Sequence, residues 1–222
     1  GRFGTTSGLS AVSTGSQVLN LVTFVITQFA MGITVLIARY IGEKKQELIG
    51  QVIGGSIIIF AIISAVLFFV MICFSRRIAI VMQAPSEAVG LTSVYVKICG
   101  GGIFFIVAYN LLSAIFRGLG DSKSPLIFVA VACVINIVGD LLLVAGLKMD
   151  ATGAAIATVF AQAVSVVLAL FMLVKRNKIF TITKSDFKVN IHCKRALKIG
   201  ITGVSYSGFV SGIMCIYQQA WT

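Results

Sequence analysis

The sequence predicts an all-α, polytopic membrane protein, and three observations carry that prediction. The mean hydropathy is +1.04. Only 11% of the 222 residues are charged against 58% hydrophobic, far from the roughly 25% charged content of soluble domains. The charges also gather in short polar stretches between apolar runs of about twenty residues, the length needed at ~1.5 Å per residue to cross a hydrocarbon core of about 30 Å. A net charge of +11 would raise nucleic-acid binding in a soluble chain. Placed between apolar runs it speaks instead for lipid head groups and for orientation in the membrane, and no nucleic-acid partner is expected.

Six spans follow in order. Gly1 to Gln17 is small and polar, rich in Gly, Ser and Thr, without an initial methionine or a signal-peptide pattern, so it reads as the middle of something. The first span runs from Val18 to Ala38 and ends at Arg39, with the charged loop Gly42 to Glu47 behind it. The second covers Val52 to Phe74 and is closed by Arg76 and Arg77. After a loop with Pro85 and Glu87, the third runs from Ile98 to Phe116 and opens on Gly100-Gly101-Gly102, small residues that let helices approach closely in a membrane. The fourth, Leu126 to Leu147, follows the turn Arg117 to Pro125, with Ser124 as its expected N-cap and Pro125 at the first helical position. A tight turn at Lys148-Met149-Asp150 leads to the fifth span, Ala151 to Val174. A long polar segment from Lys175 to Lys198 holds eight basic residues, and a sixth span begins near Ile201.

The fourth span contains a carboxylate. Its 22 residues carry no charge but Asp140, and an ionised side chain at that depth costs at least ~2.5 kcal/mol, so it marks an ion or substrate path more often than it faces lipid. Asn136 lies four residues earlier, on the same helical face. If the fourth and fifth spans form a hairpin about Lys148 to Asp150, Asp140 and Thr158 are each seven residues from the turn, and Asn136 and Gln162 each eleven. The equal counts predict two level pairs, ~10 to 16 Å below the outer surface by the helical rise. A carboxylate, two amides and a hydroxyl there could coordinate a small cation or relay a proton. The competing reading is interhelical glue, since Asn, Gln and Thr often bridge helices, though an ionisable group is an expensive way to do so.

Alternation of the spans puts residues 39–48, 117–124 and 175–198 on one side, with 13 Lys or Arg against five on the other. The positive-inside rule makes that side cytoplasmic, and the assignment rests mainly on the long basic segment. The five cysteines show no paired spacing and four lie in apolar runs, so neither a disulfide framework nor a metal site is read from them. His192 sits in the basic loop with only Cys193 near it and is expected to be a solvated residue. No nucleophile and base constellation is present, and an intramembrane protease would need a second aspartate at depth, so no enzymatic activity is expected.

Phe116-Arg117-Gly118-Leu119-Gly120-Asp121-Ser122-Lys123-Ser124-Pro125, then Asn136-Ile137-Val138-Gly139-Asp140, then Gly153-Ala154-Ala155-Ile156-Ala157-Thr158 resembles the multidrug and toxic compound extrusion (MATE) transporters. Gly32 to Gly42 is similar to the end of that family's second helix and the loop beyond it. The resemblance extends from Gly1 to Thr222 and implies a twelve-helix, two-lobe transporter with a central cleft, of which these spans are helices two to seven. It implies that residues 1–174 are an N-lobe lacking its first helix, residues 175–198 a basic cytoplasmic inter-lobe linker, and residues 199–222 the first helix of a truncated C-lobe. Asp140, Asn136 and Thr158 fall on the family's cation-binding positions. Gln162 and Asn110 are added as candidate substrate or cation contacts.

The implied function is a secondary active antiporter in the cell membrane that exports amphiphilic, often cationic, drug-like organic compounds in exchange for H⁺ or Na⁺. Its implied partners are those substrates, membrane lipids and the remaining helices of the transporter. No cofactor is expected beyond the coupling ion, and no metal beyond a Na⁺ at Asp140, Asn136 and Thr158. The alternative is a lipid-linked saccharide flippase of the same superfamily, which a cleft lined by basic residues would favour; here the intramembrane charge is acidic.

Overall fold

The computed structural model describes residues 5–175, 195–203 and 205. Among these there is no strand. Six α-helices follow in order: α1 (Thr6–Gly42), α2 (Glu47–Val81), α3 (Val89–Gly101), α4 (Ile103–Gly118), α5 (Lys123–Asp140) and α6 (Asp150–Lys175), with a π-helical turn, Leu141–Gly146, continuing α5. Residues 195–203 are also helical. Four helices are long and apolar enough to cross a membrane, α5 being counted together with its π turn, and α3 with α4 makes a fifth span bent by 53°. The chain is a multi-pass helical membrane protein. The basic segment and the sixth span fall mostly outside the described residues, as do His192, Cys193 and Cys215.

Four boundaries differ from the sequence reading in ways that bear on the site. The Gly, Ser and Thr stretch before Val18 is helical from Thr6, because Gly8, Ala11 and Gly15 sit buried against Asp150, Ala88, Ala151 and Tyr95, and such close packing overrides weak propensity. Thr5 caps this helix by accepting from the Gly8 amide at 3.0 Å. The second helix does not stop at Phe74 but carries Arg76 and Arg77 within it, to Val81. The third span starts at Val89, not Ile98, which places Tyr95 and Lys97 inside it. Gly100-Gly101-Gly102 therefore lies at a mid-span bend: Gly100 packs on Met71 and Gly102 on Val159 with no space for a side chain.

The fourth span begins at Lys123, so Ser124 is not its cap. Asp121 does that work instead, accepting from the Lys123 and Ser124 amides at 3.1 Å each and from the Ser124 hydroxyl at 2.6 Å. At the far end of α1, Glu43 takes Arg39 at 2.7 Å and Lys45 at 2.9 Å. Bonding to Lys45 and then to Arg39 holds its carboxyl below the ordinary glutamate range.

The main core gathers Ile26, Ile33 and Ile37 of α1, Ile49, Val52 and Ile53 of α2, and Val96 and Ile103 of the bent span. A smaller cluster joins α4, α5 and α6 through Leu112, Phe116, Phe128 and Val166, with the two rings 5.5 Å apart, edge to face. Ser165 donates to the Phe128 carbonyl at 3.2 Å. Together these fix the register of the α5–α6 hairpin from its Lys123 end upward. Along α5 only Ser124, Pro125 and Phe128 are fully buried; one face of the helix, with Leu126, Ile127, Val134 and Ile137, presents apolar side chains outward, as suits a surface in contact with lipid tails.

Candidate functional site

Asn136 and Thr158 meet across the hairpin: the Asn136 amide donates to the Thr158 hydroxyl at 3.3 Å, and that hydroxyl donates to the Ala154 carbonyl at 2.9 Å. The predicted level pairs were Asn136 with Gln162 and Asp140 with Thr158, so the register is one turn nearer the connection than counted. The π turn contributes to the shift, and so does the connection: Met149 folds back to donate to the Leu143 carbonyl at 3.0 Å, and α6 already starts at Asp150. A π-helix closes i→i+5 bonds and holds more residues per turn, so residues 141–146 cover less height than six α-helical residues. Gly139 correspondingly lies against Ala157, and Gly153 against Leu143.

Asp140 ends α5 one helical turn above Asn136. It is half-buried, and its Oδ1 is shielded from solvent with no hydrogen-bond partner among the described residues. Gln162, one turn below Thr158, has its Oε1 in the same condition. A cavity of about 230 Å³ opens beside these groups, lined by Tyr109 of α4, Val129, Cys133 and Asn136 of α5, and Thr158 and Gln162 of α6. Buried acceptors without donors are costly to leave so, and both belong to groups that can receive a cation, a proton or a ligand N–H.

Two residues join the site that the sequence reading passed over. The Tyr95 hydroxyl of α3 lies 3.3 Å from the Ser16 hydroxyl of α1, with Thr158 of α6 as a polar neighbour. Two hydrogen-bonded pairs, Ser16–Tyr95 and Asn136–Thr158, therefore neighbour one another across four helices. Tyr95 was hidden by Lys97, which closed the polar loop in the sequence reading, and Ser16 by its small, polar neighbours. Asn110 lies elsewhere. It is buried, donates to the Ile106 carbonyl at 2.8 Å and accepts from the Thr27 hydroxyl at 2.8 Å, a closed pair that ties α4 to α1. Among the described residues no group of three His, Cys, Asp or Glu could hold a metal ion. The oxygens of Asp140, Asn136, Thr158 and Gln162, spread over about one helical turn of α5 and of α6, are of the kind that hard cations and protons take.

The profile of the MatE family matches residues 1–142. A probable multidrug resistance protein, YpnP of Bacillus subtilis, is 36% identical over 94 residues, 42% of this chain and 21% of its own. The multidrug export protein MepA of Staphylococcus saprophyticus is 23% identical over 224 residues, 96% of this chain and 50% of its own. Among solved structures, the inward-facing conformation of a multidrug resistance MATE family transporter of the MOP superfamily superposes with a TM-score of 0.82 at 28% identity, covering 88% of this chain and 45% of that one. The chain thus spans about half the length of the relatives it matches along most of its length.

Proposed function

This chain belongs to the MatE family, and from that premise we propose that it forms part of a secondary active exporter that moves amphiphilic, often cationic organic compounds out of the cell in exchange for H⁺ or Na⁺. The observation that carries the reading is the Asp140 carboxylate, under-bonded among the described residues and one turn above the Asn136–Thr158 bond, whose two side chains line a cavity between α4, α5 and α6. In this reading Asp140 is the coupling charge, Asn136 and Thr158 are polar partners of the bound cation, and Tyr95 orients Thr158. Gln162 and Tyr109 offer a substrate an acceptor and an aromatic face.

The mechanism needs one carboxylate whose charge is satisfied alternately by a small cation and by a cationic substrate. Each ligand favours the state to which it binds more tightly, and exchange results when the unsatisfied charge disfavours the switch between states. The similarity to the multidrug export protein MepA and to the probable multidrug resistance protein YpnP supports the substrate class, and the acidic intramembrane charge favours drug export over a saccharide flippase.

The test is ethidium accumulation in an efflux-deficient bacterial host expressing the transporter as its gene encodes it. Accumulation is expected to fall with expression and to recover when an ionophore collapses the H⁺ or the Na⁺ gradient. Accumulation that ignores both gradients contradicts the antiport reading.

A further inference from the structure

The helix that carries Asp140 changes its hydrogen bonding at that residue. It is α-helical through Asp140 and π-helical from Leu141 to Gly146. Leu141-Leu142-Leu143-Val144-Ala145-Gly146 holds no proline and no polar side chain; Leu and Ala rank high as α-helix formers, and the one weak former, Gly146, comes only at its end. Isolated π turns of this kind recur at functional sites.

Packing pins the helix on both sides of the wide turn. Below it, Gly139 lies against Ala157 with no space for a Cβ. At its upper end, Gly153 packs closely on Leu143, within the turn, and on Met149 beyond it, and the amides of Leu147 and Met149, beyond the turn, donate to the carbonyls of Leu142 and Leu143 within it at 3.0 Å each. The connection itself is held in left-handed backbone at Lys148 (φ 53) and Asp150 (φ 51), and the Thr5 hydroxyl donates to Asp150 at 2.6 Å. With both ends held, the extra residue can move only by passing along the helix. Each such step turns the residue it passes by about 100°. The first residue on its path toward the N-terminus is Asp140.

The side chains leave room for such a step. The Asp140 Oδ1 has no donor among the described residues and the carboxylate does not line the cavity. The Asn136–Thr158 bond, at 3.3 Å, is longer than the usual N–H···O separation of about 2.9 to 3.0 Å. Resting on the reading of Asp140 as the coupling carboxylate, we infer that the Leu141–Gly146 π turn is its positioning element. Passage of the extra residue across Asp140 swings the carboxylate onto the Asn136–Thr158 pair, while α5 below and the Lys148–Asp150 connection above stay in place. Coupling between a turn and a charge is reciprocal, so each must respond when the other is altered.

Both directions are measurable in the transporter as its gene encodes it. Deleting Ala145 removes the extra residue; ethidium binding to the purified protein is expected to persist while export loses its H⁺ or Na⁺ dependence. Export with unchanged ion dependence overturns the inference. The second measurement needs no deletion: hydrogen exchange of amides 141–147 is expected to differ by about fivefold or more between wild type and Asp140→Asn, with amides 155–165 unchanged. Equal exchange across 141–147 overturns the inference whether or not the deletion variant folds. Export by Asp140→Asn with wild-type ion dependence instead overturns the reading of Asp140 itself, whichever way the exchange falls.

Discussion

An acceptor oxygen shielded from solvent without a donor among the described residues, as at Asp140 and Gln162, is tolerated where a ligand supplies the missing partner. The Asn136–Thr158 pair has no such deficit, since each side chain already bonds. Its removal should therefore weaken cation binding without abolishing it. Asn136→Ala and Thr158→Ala are each expected to cost on the order of 1 to 2 kcal/mol, roughly five- to thirty-fold in the concentration of coupling ion that half-saturates transport. Tyr95→Phe should fall at the lower edge of that range, because the ring stays packed and only its hydroxyl is lost. In the loop between α1 and α2, Glu43 is held below its usual range by Lys45 and Arg39. A depressed carboxyl contributes stability above the unfolded-state value and loses it as pH falls through the folded one. The group is fully exposed, so Glu43→Gln is expected to leave the melting temperature unchanged at neutral pH. Asp140 and Asn136 were legible in the sequence, because a single charge in 22 apolar residues is conspicuous. Tyr95 was not, because a neighbouring lysine made its helix look like a loop.

The α5–α6 hairpin is an element built on close backbone approach. A Cβ at Gly139 would meet the Ala157 Cβ at 2.9 Å, tighter than side chains normally pack. Gly139→Leu should therefore push α5 off α6, break the Asn136–Thr158 bond and destabilise the protein by about 1 to 3 kcal/mol. Gly90, at the start of α3, has nothing within 4 Å of such a Cβ. Gly90→Ala is expected to be neutral or to stabilise by up to about 1 kcal/mol, and thermal unfolding of the two purified variants checks the contrast. The existence of this hairpin followed from two apolar runs and a short polar turn. Its register did not, because counting residues assumes a constant rise, and the π turn at Leu141–Gly146 breaks that assumption with no proline or polar residue to announce it. The bend at Gly102 was hidden in the same way: three small residues read equally well as a helix start or as a place where two helices touch.

At the scale of the molecule, the two ends of the bundle differ in charge. Arg39, Lys44, Lys45, Arg117, Lys123 and Lys175 lie toward one end, and Arg76, Arg77, Lys97 and Lys148 toward the other. With the first end in the cytoplasm, a cysteine at Lys45→Cys should resist a membrane-impermeant thiol reagent in intact cells, and one at Lys148→Cys should react, in a background free of native cysteines. Asp140 then lies in the outer half of the membrane, within reach of the extracytoplasmic ion. The central claim is that its charge couples ion entry to drug export. Asp140→Asn keeps the size and much of the hydrogen bonding while removing that charge. In proteoliposomes holding the transporter as its gene encodes it, an imposed H⁺ or Na⁺ gradient should drive ethidium transport in wild type. In Asp140→Asn that drive should vanish although the protein inserts and binds ethidium. Gradient-driven transport by Asp140→Asn at the wild-type rate, with unchanged dependence on pH and Na⁺, would contradict the account.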